Sequence, residues 1–114
     1  MTHVELVRVL SREWPKEADR WWDNVERLFE IPNERDLFYR IRPASEGGSL
    51  EGRTLDWGAS IVYLSRDQVL EFLGPPPPVK DGEAWWEEQR RETRQKITAL
   101  PTTGDYGLVA IEDY

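Results

Sequence analysis

The sequence has 114 residues, of which 39% are hydrophobic and 11% aromatic, a formal charge of −7 and no cysteine. This length and composition predict one folded domain, and the missing cysteines exclude disulfides, thiol nucleophiles and thiolate metal sites. No run of about 18 apolar residues is long enough to span a membrane, and the charged N-terminus lacks the apolar core of a secretory signal, so we expect a cytoplasmic protein.

The N-terminal third of the chain predicts a strand followed by a helix. Residues 3–10 alternate loosely and are rich in valine, which favours a strand, although Thr2 and Glu5 would also fit the capping box of a helix. Residues 15–30 predict the helix, because Pro15 suits its first position and acidic residues fill its first turn, where the helix dipole favours them.

Four later segments predict strands. Residues 36–43 alternate, with leucine, tyrosine and isoleucine on one face and phenylalanine and two arginines on the other. Residues 50–57 predict a short strand interrupted by glycine. Residues 59–64 form a nearly continuous apolar run, which is typical of a central strand, and residues 106–114 predict the last strand.

Two segments of the second half predict helices. In residues 65–74, Ser65 and Gln68 form a capping box and a glycine ends the segment. Residues 82–100 predict a long helix, with acidic residues four positions before basic ones. Together these segments predict a single α+β domain over residues 1–114, with about four mainly antiparallel strands and two or three packed helices.

Four of the six tryptophans form two adjacent pairs, each set among acidic residues. The first pair, Trp21 and Trp22, lies in the helix predicted over residues 15–30. At about 100° per residue, both indoles fall in one apolar arc of that helix. We therefore expect Trp22 to be a core residue, and we expect the same of Trp86 in the second pair.

The second pair lies in the helix predicted over residues 82–100. Its predicted buried stripe consists of Trp86, Thr93, Ile97 and Leu100. Trp85 lies about 100° away from this stripe, on the same side of the helix as Glu88 and Glu92. Two interpretations remain open: Trp85 packs on Pro75–Pro78, or it is an exposed anchor for a partner, surrounded by carboxylates.

The remaining motifs carry little specificity. The segment PPPPVK at residues 75–80 fits an SH3 ligand, but a strut between two helices is the favoured interpretation. The single histidine, His3, cannot build a common zinc site. Arg40 and Arg42 share a predicted strand face with Phe38, where internal pairing with carboxylates is favoured over a ligand phosphate.

Catalysis in this chain would have to rest on carboxylates, tyrosines, serines or arginines, and a pair of carboxylates in predicted loops would suit general acid–base chemistry. The loop carboxylates are Glu51, Asp56, Asp81 and Asp105. Acidic residues number 22 in 114, so such pairs arise easily by chance. The sequence therefore predicts no catalytic residue, no metal ligand and no cofactor.

Negative charge is spread along the whole chain, with a net −3 in residues 1–57 and −4 in residues 58–114. Such a chain repels phosphate, which disfavours direct nucleic-acid binding, and it attracts basic protein surfaces. We therefore expect a small acidic protein that occludes a basic surface of a partner, as an immunity protein, an antitoxin or a phage-type inhibitor does. Trp85, Glu88 and Glu92 are the predicted partner-binding residues. The alternative is a small carboxylate-based enzyme or a ligand-binding domain with a pocket at the sheet.

Overall fold

The computed structural model describes residues 2–13, 22–32, 36–45, 50–55, 58–75 and 84–112. Within these ranges the chain forms five strands: β1 (Thr2–Val9), β2 (Val25–Ile31), β3 (Gly52–Thr54), β4 (Ala59–Leu64) and β5 (Tyr106–Glu112). It also forms three helices there: α1 (Leu37–Ser45), α2 (Arg66–Leu73) and α3 (Ala84–Thr98). The predicted α+β domain is confirmed, with five strands where about four were expected.

The strands form one antiparallel sheet in the order β2-β1-β5-β4-β3. The valine-rich segment at the start of the chain is a strand, as favoured, and it lies second from the edge, with Leu6 opposite Phe29 on β2 and Leu108 on β5. All six residues of β4 are buried, so the continuous apolar run correctly predicted an interior strand. β2 and β3 form the two edges among the described residues.

The three helices all contribute to the core on one face of the sheet. Alternate residues of the central strands, such as Leu6 and Leu108, meet apolar side chains of the helices there. The helical contributors are Leu37, Phe38, Ile41, Val69, Leu73 and Ile97. The opposite face carries a second buried cluster around Val7, Ile61 and Val109, to which none of these helices contributes a buried side chain. None of the helices in the described ranges has the length and hydropathy that crossing a bilayer requires.

The helix predicted over residues 65–74 is confirmed together with its caps. The Ser65 hydroxyl accepts a hydrogen bond from the Gln68 backbone N–H, and the Gln68 side chain accepts one from the Ser65 N–H at 2.9 Å. Gly74 ends the helix with a φ of 70°, where a side chain would be strained, and its N–H donates to the Leu70 carbonyl.

The strand predicted over residues 36–43 is wrong, because residues 37–45 form α1. Leu37, Phe38 and Ile41 are buried together, a spacing that only a helix brings to one face, while Tyr39 is 65% exposed. The alternation of leucine, tyrosine and isoleucine resembles that of a strand. Residues 37 and 41 are four positions apart, a spacing that places two side chains on one face of either a helix or a strand. As a helix, this segment places its three buried side chains together in the core. This packing outweighs the weak local preference of the segment for a strand.

The helix predicted over residues 15–30 is wrong in its second half, where residues 25–31 form β2 against β1. The register shifts along this pair, from Val7 opposite Arg27 to Leu6 opposite Phe29, so Leu28 is an extra residue in a β-bulge. The bulge breaks the alternation of the strand and produces an apolar spacing that resembles a helix. Residues 15–21, including Trp21, lie outside the described residues.

Trp22 is not a core residue, contrary to the prediction from the helical phase. It lies in a single helical turn at residues 22–24, just before β2, and 41% of its surface is exposed. The predicted apolar arc depended on a continuous helix through Val25 and Phe29. Because those residues belong to a strand, the arc does not exist and the indole is not drawn into the core.

Candidate functional site

α3 lies against the core through the second half of its length only. Thr93 and Ile97 are its buried residues and Leu100 packs partly buried beyond its end, so the predicted side of the helix is correct. Trp86 lies on that side two turns earlier, yet it is 44% exposed and is not the core residue predicted. The helix is about 22 Å long, and the core extends along it only as far as Thr93.

The first turn of α3 therefore presents two adjacent indoles. The ring centroids of Trp85 and Trp86 are 4.6 Å apart in an edge-to-face arrangement, and Trp85 is 58% exposed. Together with Glu30 and Pro32 at the end of β2 and Gln89 of α3, they line a cleft of about 230 Å³. We call these five residues the tryptophan patch.

Carboxylates lie beside the two indoles of the tryptophan patch. Glu88 and Glu92 follow Trp85 by three and seven residues, so all three lie on one side of α3, as predicted, and both carboxylates are exposed. Neither of them, nor Glu30, forms an ion pair with the described part of the chain. Lys96 lies one turn beyond Glu92 with its ammonium 5.5 Å from the Phe29 ring centroid. The acidic rim is thus confined to the first half of α3 and the end of β2.

The predicted contact of Trp85 with the proline run falls on residues outside the described ranges, since only Pro75 of that run is described. The exposure of Trp85 nevertheless agrees with its predicted position away from the buried stripe. Sequence reasoning missed that Trp86 joins it at the surface, and that Pro32 and Glu30 of a distant strand complete the cleft.

A polar cluster around Arg12 lies at the other end of the strands from the tryptophan patch, where β1 ends and β5 begins. Its Nε and Nη2 atoms donate to the two carboxylate oxygens of Asp105 at 2.9 and 2.7 Å, and Nη1 donates to Glu51 at 2.7 Å. The guanidinium lies over the Tyr63 ring, 4.4 Å from its centroid. The hydrogen bonds that Arg12 donates to Asp105 are the main cause that raises the pKa of Arg12 above its usual value.

Two of the four predicted loop carboxylates, Glu51 and Asp105, are therefore brought together, but Arg12 lies between them. Polar clefts of about 360 and 370 Å³ adjoin this cluster. A carboxylate that is fixed and neutralised by arginine is a poor general acid or base at neutral pH. The cluster links three distant segments, and Arg12 itself carries no local sequence signal for that role. Asp56 and Asp81 lie outside the described residues.

The other predicted sites give a mixed result. Arg42 pairs internally, as favoured, with Nη1 3.6 Å from a Glu112 carboxylate oxygen. His3 lies 3.5 Å from Glu5, a buried carboxylate that Arg27 of β2 also binds. No group of three or more histidine or carboxylate side chains among the described residues is placed to hold a metal ion.

No protein-family model matches this chain, and no curated protein or solved structure is detectably similar to it.

Proposed function

We propose that this protein binds a basic surface of a protein partner through the tryptophan patch and its acidic rim, and that it acts by occluding that surface. The observation that carries the proposal is the exposed Trp85–Trp86 pair, set beside three carboxylates that form no ion pair in the described part of the chain. An immunity protein or antitoxin against a toxic enzyme, or a phage-type inhibitor, acts in this way in the cytoplasm.

The indoles supply binding energy to such a complex. The exposed part of Trp85 amounts to roughly 140 Å², and burying it against a partner would contribute about 3 kcal/mol. Tryptophan is also among the residues most often found at the energetic centre of interfaces. Exposed indoles attract arginine and lysine in addition, because a cation is stabilised over the face of the ring.

The carboxylates supply specificity and speed of association. Glu30, Glu88 and Glu92 would meet basic groups around the indoles, and the net charge of −7 would accelerate the encounter with a positive surface. Many basic protein surfaces bind nucleic acid, so the expected consequence of occlusion is competition with nucleic acid. Direct binding of nucleic acid by this protein remains disfavoured by the same charge.

The carboxylate-enzyme alternative is less well supported. Glu51 and Asp105, the loop carboxylates that do approach each other, are both hydrogen-bonded to Arg12. A catalytic pair needs carboxyl groups that are available to a substrate, whereas these two are bound to the guanidinium that lies between them.

The test is a pull-down from the source cell with the immobilised protein and three matched variants. Trp85→Ala and the double variant Glu88→Gln/Glu92→Gln alter the site, and Asp67→Asn removes an exposed carboxylate of α2 that lies outside it. We expect a basic protein to be retained by the wild type and by Asp67→Asn, and to be lost with both site variants. Retention of the same protein by Trp85→Ala would contradict the proposal, as would a captured protein that is acidic.

A further inference from the structure

Arg40 of α1 is a cation with two hydrogen-bond donors that find no acceptor among the described residues. Its Nη1 donates to the Phe72 carbonyl at 2.9 Å, and the guanidinium lies over the Phe72 ring, 4.9 Å from its centroid. The Nε and Nη2 atoms are buried and have no hydrogen-bond partner in the part of the chain that the structure describes. Buried charged donors are normally satisfied, because leaving one unpaired is costly.

The two unpaired atoms are the ones that this protein uses elsewhere to bind carboxylates. Arg12 binds Asp105 through Nε and Nη2, and Arg27 binds Glu5 through the same two atoms. This edge of a guanidinium matches the two oxygens of a carboxylate with parallel hydrogen bonds. In Arg40 the same edge is held in place by the contacts to Phe72, and no carboxylate of the described chain occupies it.

Arg40 lines a cleft of about 410 Å³ between α1, α2 and β4, together with Leu50, Leu64, Gln68, Glu71 and Phe72. Half of the described lining is apolar, from two leucines and a phenylalanine. Leu50 at the wall of the cleft is only partly buried, and a ligand needs side-chain movement at that wall to reach the buried nitrogens. Glu71 is exposed and adds one negative charge to the cleft without forming an ion pair in the described chain.

We infer that this cleft is a binding site for a small organic monocarboxylate with an apolar body. The carboxylate lies on Nε and Nη2 of Arg40, and the apolar body lies against Leu50, Leu64 and Phe72. Glu71 selects against dicarboxylates and phosphate, because a second negative charge would be placed near its own. This site is separate from the tryptophan patch and does not depend on the proposed function.

The probe is 4-methylpentanoate, titrated into the purified protein while backbone amide signals are followed by NMR. We expect saturable shifts at Leu64 and Gln68, and no comparable binding of the uncharged 4-methylpentanamide, which keeps the apolar body. Arg40→Lys retains the charge without the paired donors, and we expect it to weaken binding by about tenfold or more. Arg91→Gln removes an exposed arginine of α3 outside the cleft and serves as the matched control.

Glu71→Gln tests the selectivity without altering Arg40. We expect this variant to bind 4-methylpentanoate at least as tightly as the wild type and to gain affinity for glutarate. The inference is overturned if the amide binds as well as the acid, if inorganic phosphate binds as tightly as 4-methylpentanoate, or if a folded Arg40→Lys variant binds normally. Absence of saturable shifts in the wild type overturns it as well.

Discussion

The depth of burial along α3 can be tested by comparing Ile97→Ala with Trp86→Ala. Ile97 is fully buried in the main core, so its truncation removes three carbon groups from a packed environment and leaves a cavity, at a cost of about 3–4 kcal/mol. Trp86 is larger but 44% exposed, and solvent fills the space that it leaves. Its truncation should cost about 2–3 kcal/mol, because roughly 140 Å² of burial is lost and the unfolded chain already buries part of that area.

The measurement is urea unfolding followed by far-UV circular dichroism at 222 nm, with the folded and unfolded baselines fitted separately for each variant because the coupled indoles also contribute to the signal. For a domain whose total stability is about 5–15 kcal/mol, Ile97→Ala should lower the midpoint strongly while the slope with urea stays unchanged. If Trp86→Ala destabilises the protein more than Ile97→Ala, the core extends to the first turn of α3 and Trp86 belongs to it.

Three further predictions concern the patch and the arginine cluster. Trp85→Ala should leave the free energy of unfolding within about 1 kcal/mol of wild type, while weakening partner binding by 2 kcal/mol or more; early melting with normal binding would remove Trp85 from the site. Association with the partner, followed by stopped-flow, should slow sharply as salt rises, since exposed charges act over only about 10 Å at 0.1 M ionic strength, and a salt-independent rate would contradict steering. Asp105→Asn should lower the free energy of unfolding, measured by thermal unfolding, by about 1 kcal/mol, a modest value because the pair with Arg12 is partly exposed. A double-mutant cycle with Arg12→Met should show that most of this loss is coupling energy between the two side chains. Because the pKa of Arg12 is raised, the stability that this ion pair contributes is fully present below the usual arginine pKa. The coupling energy should therefore be the same at neutral and at mildly alkaline pH.

The sequence predicted those elements whose local signals agree with their packing. The capping box at Ser65 and Gln68 predicted α2 with both of its ends, and the apolar run of β4 predicted an interior strand. The two errors occur where local and tertiary signals differ. In β2, the bulge inserts Leu28 and interrupts the alternation of buried and exposed residues. In α1, Leu37 and Ile41 are four positions apart, a spacing that fits one face of either a helix or a strand.

The candidate site, too, was predictable only where a local signal in the sequence determines the exposure of a side chain. The angular position of Trp85 follows from the helix period alone, so its exposure could be inferred without knowing the fold. The exposure of Trp86 could not, because it depends on how far the core extends along α3. Arg12 was missed because its partners lie 39 and 93 residues away, and the free edge of Arg40 appears only when α1 and α2 meet.

The pairing of β1 with β5 has a consequence for how this sheet assembles. Leu6 pairs with Leu108 and Val4 with Ala110, so the centre of the sheet joins two segments separated by almost the whole described chain. Closing a loop of this length carries a large entropy cost and slows folding. Among the described strands, β1 can pair only with β2 until β5 is made, and β4 can pair only with β3. Deleting residues 106–112 would therefore leave two separate strand pairs instead of a smaller sheet.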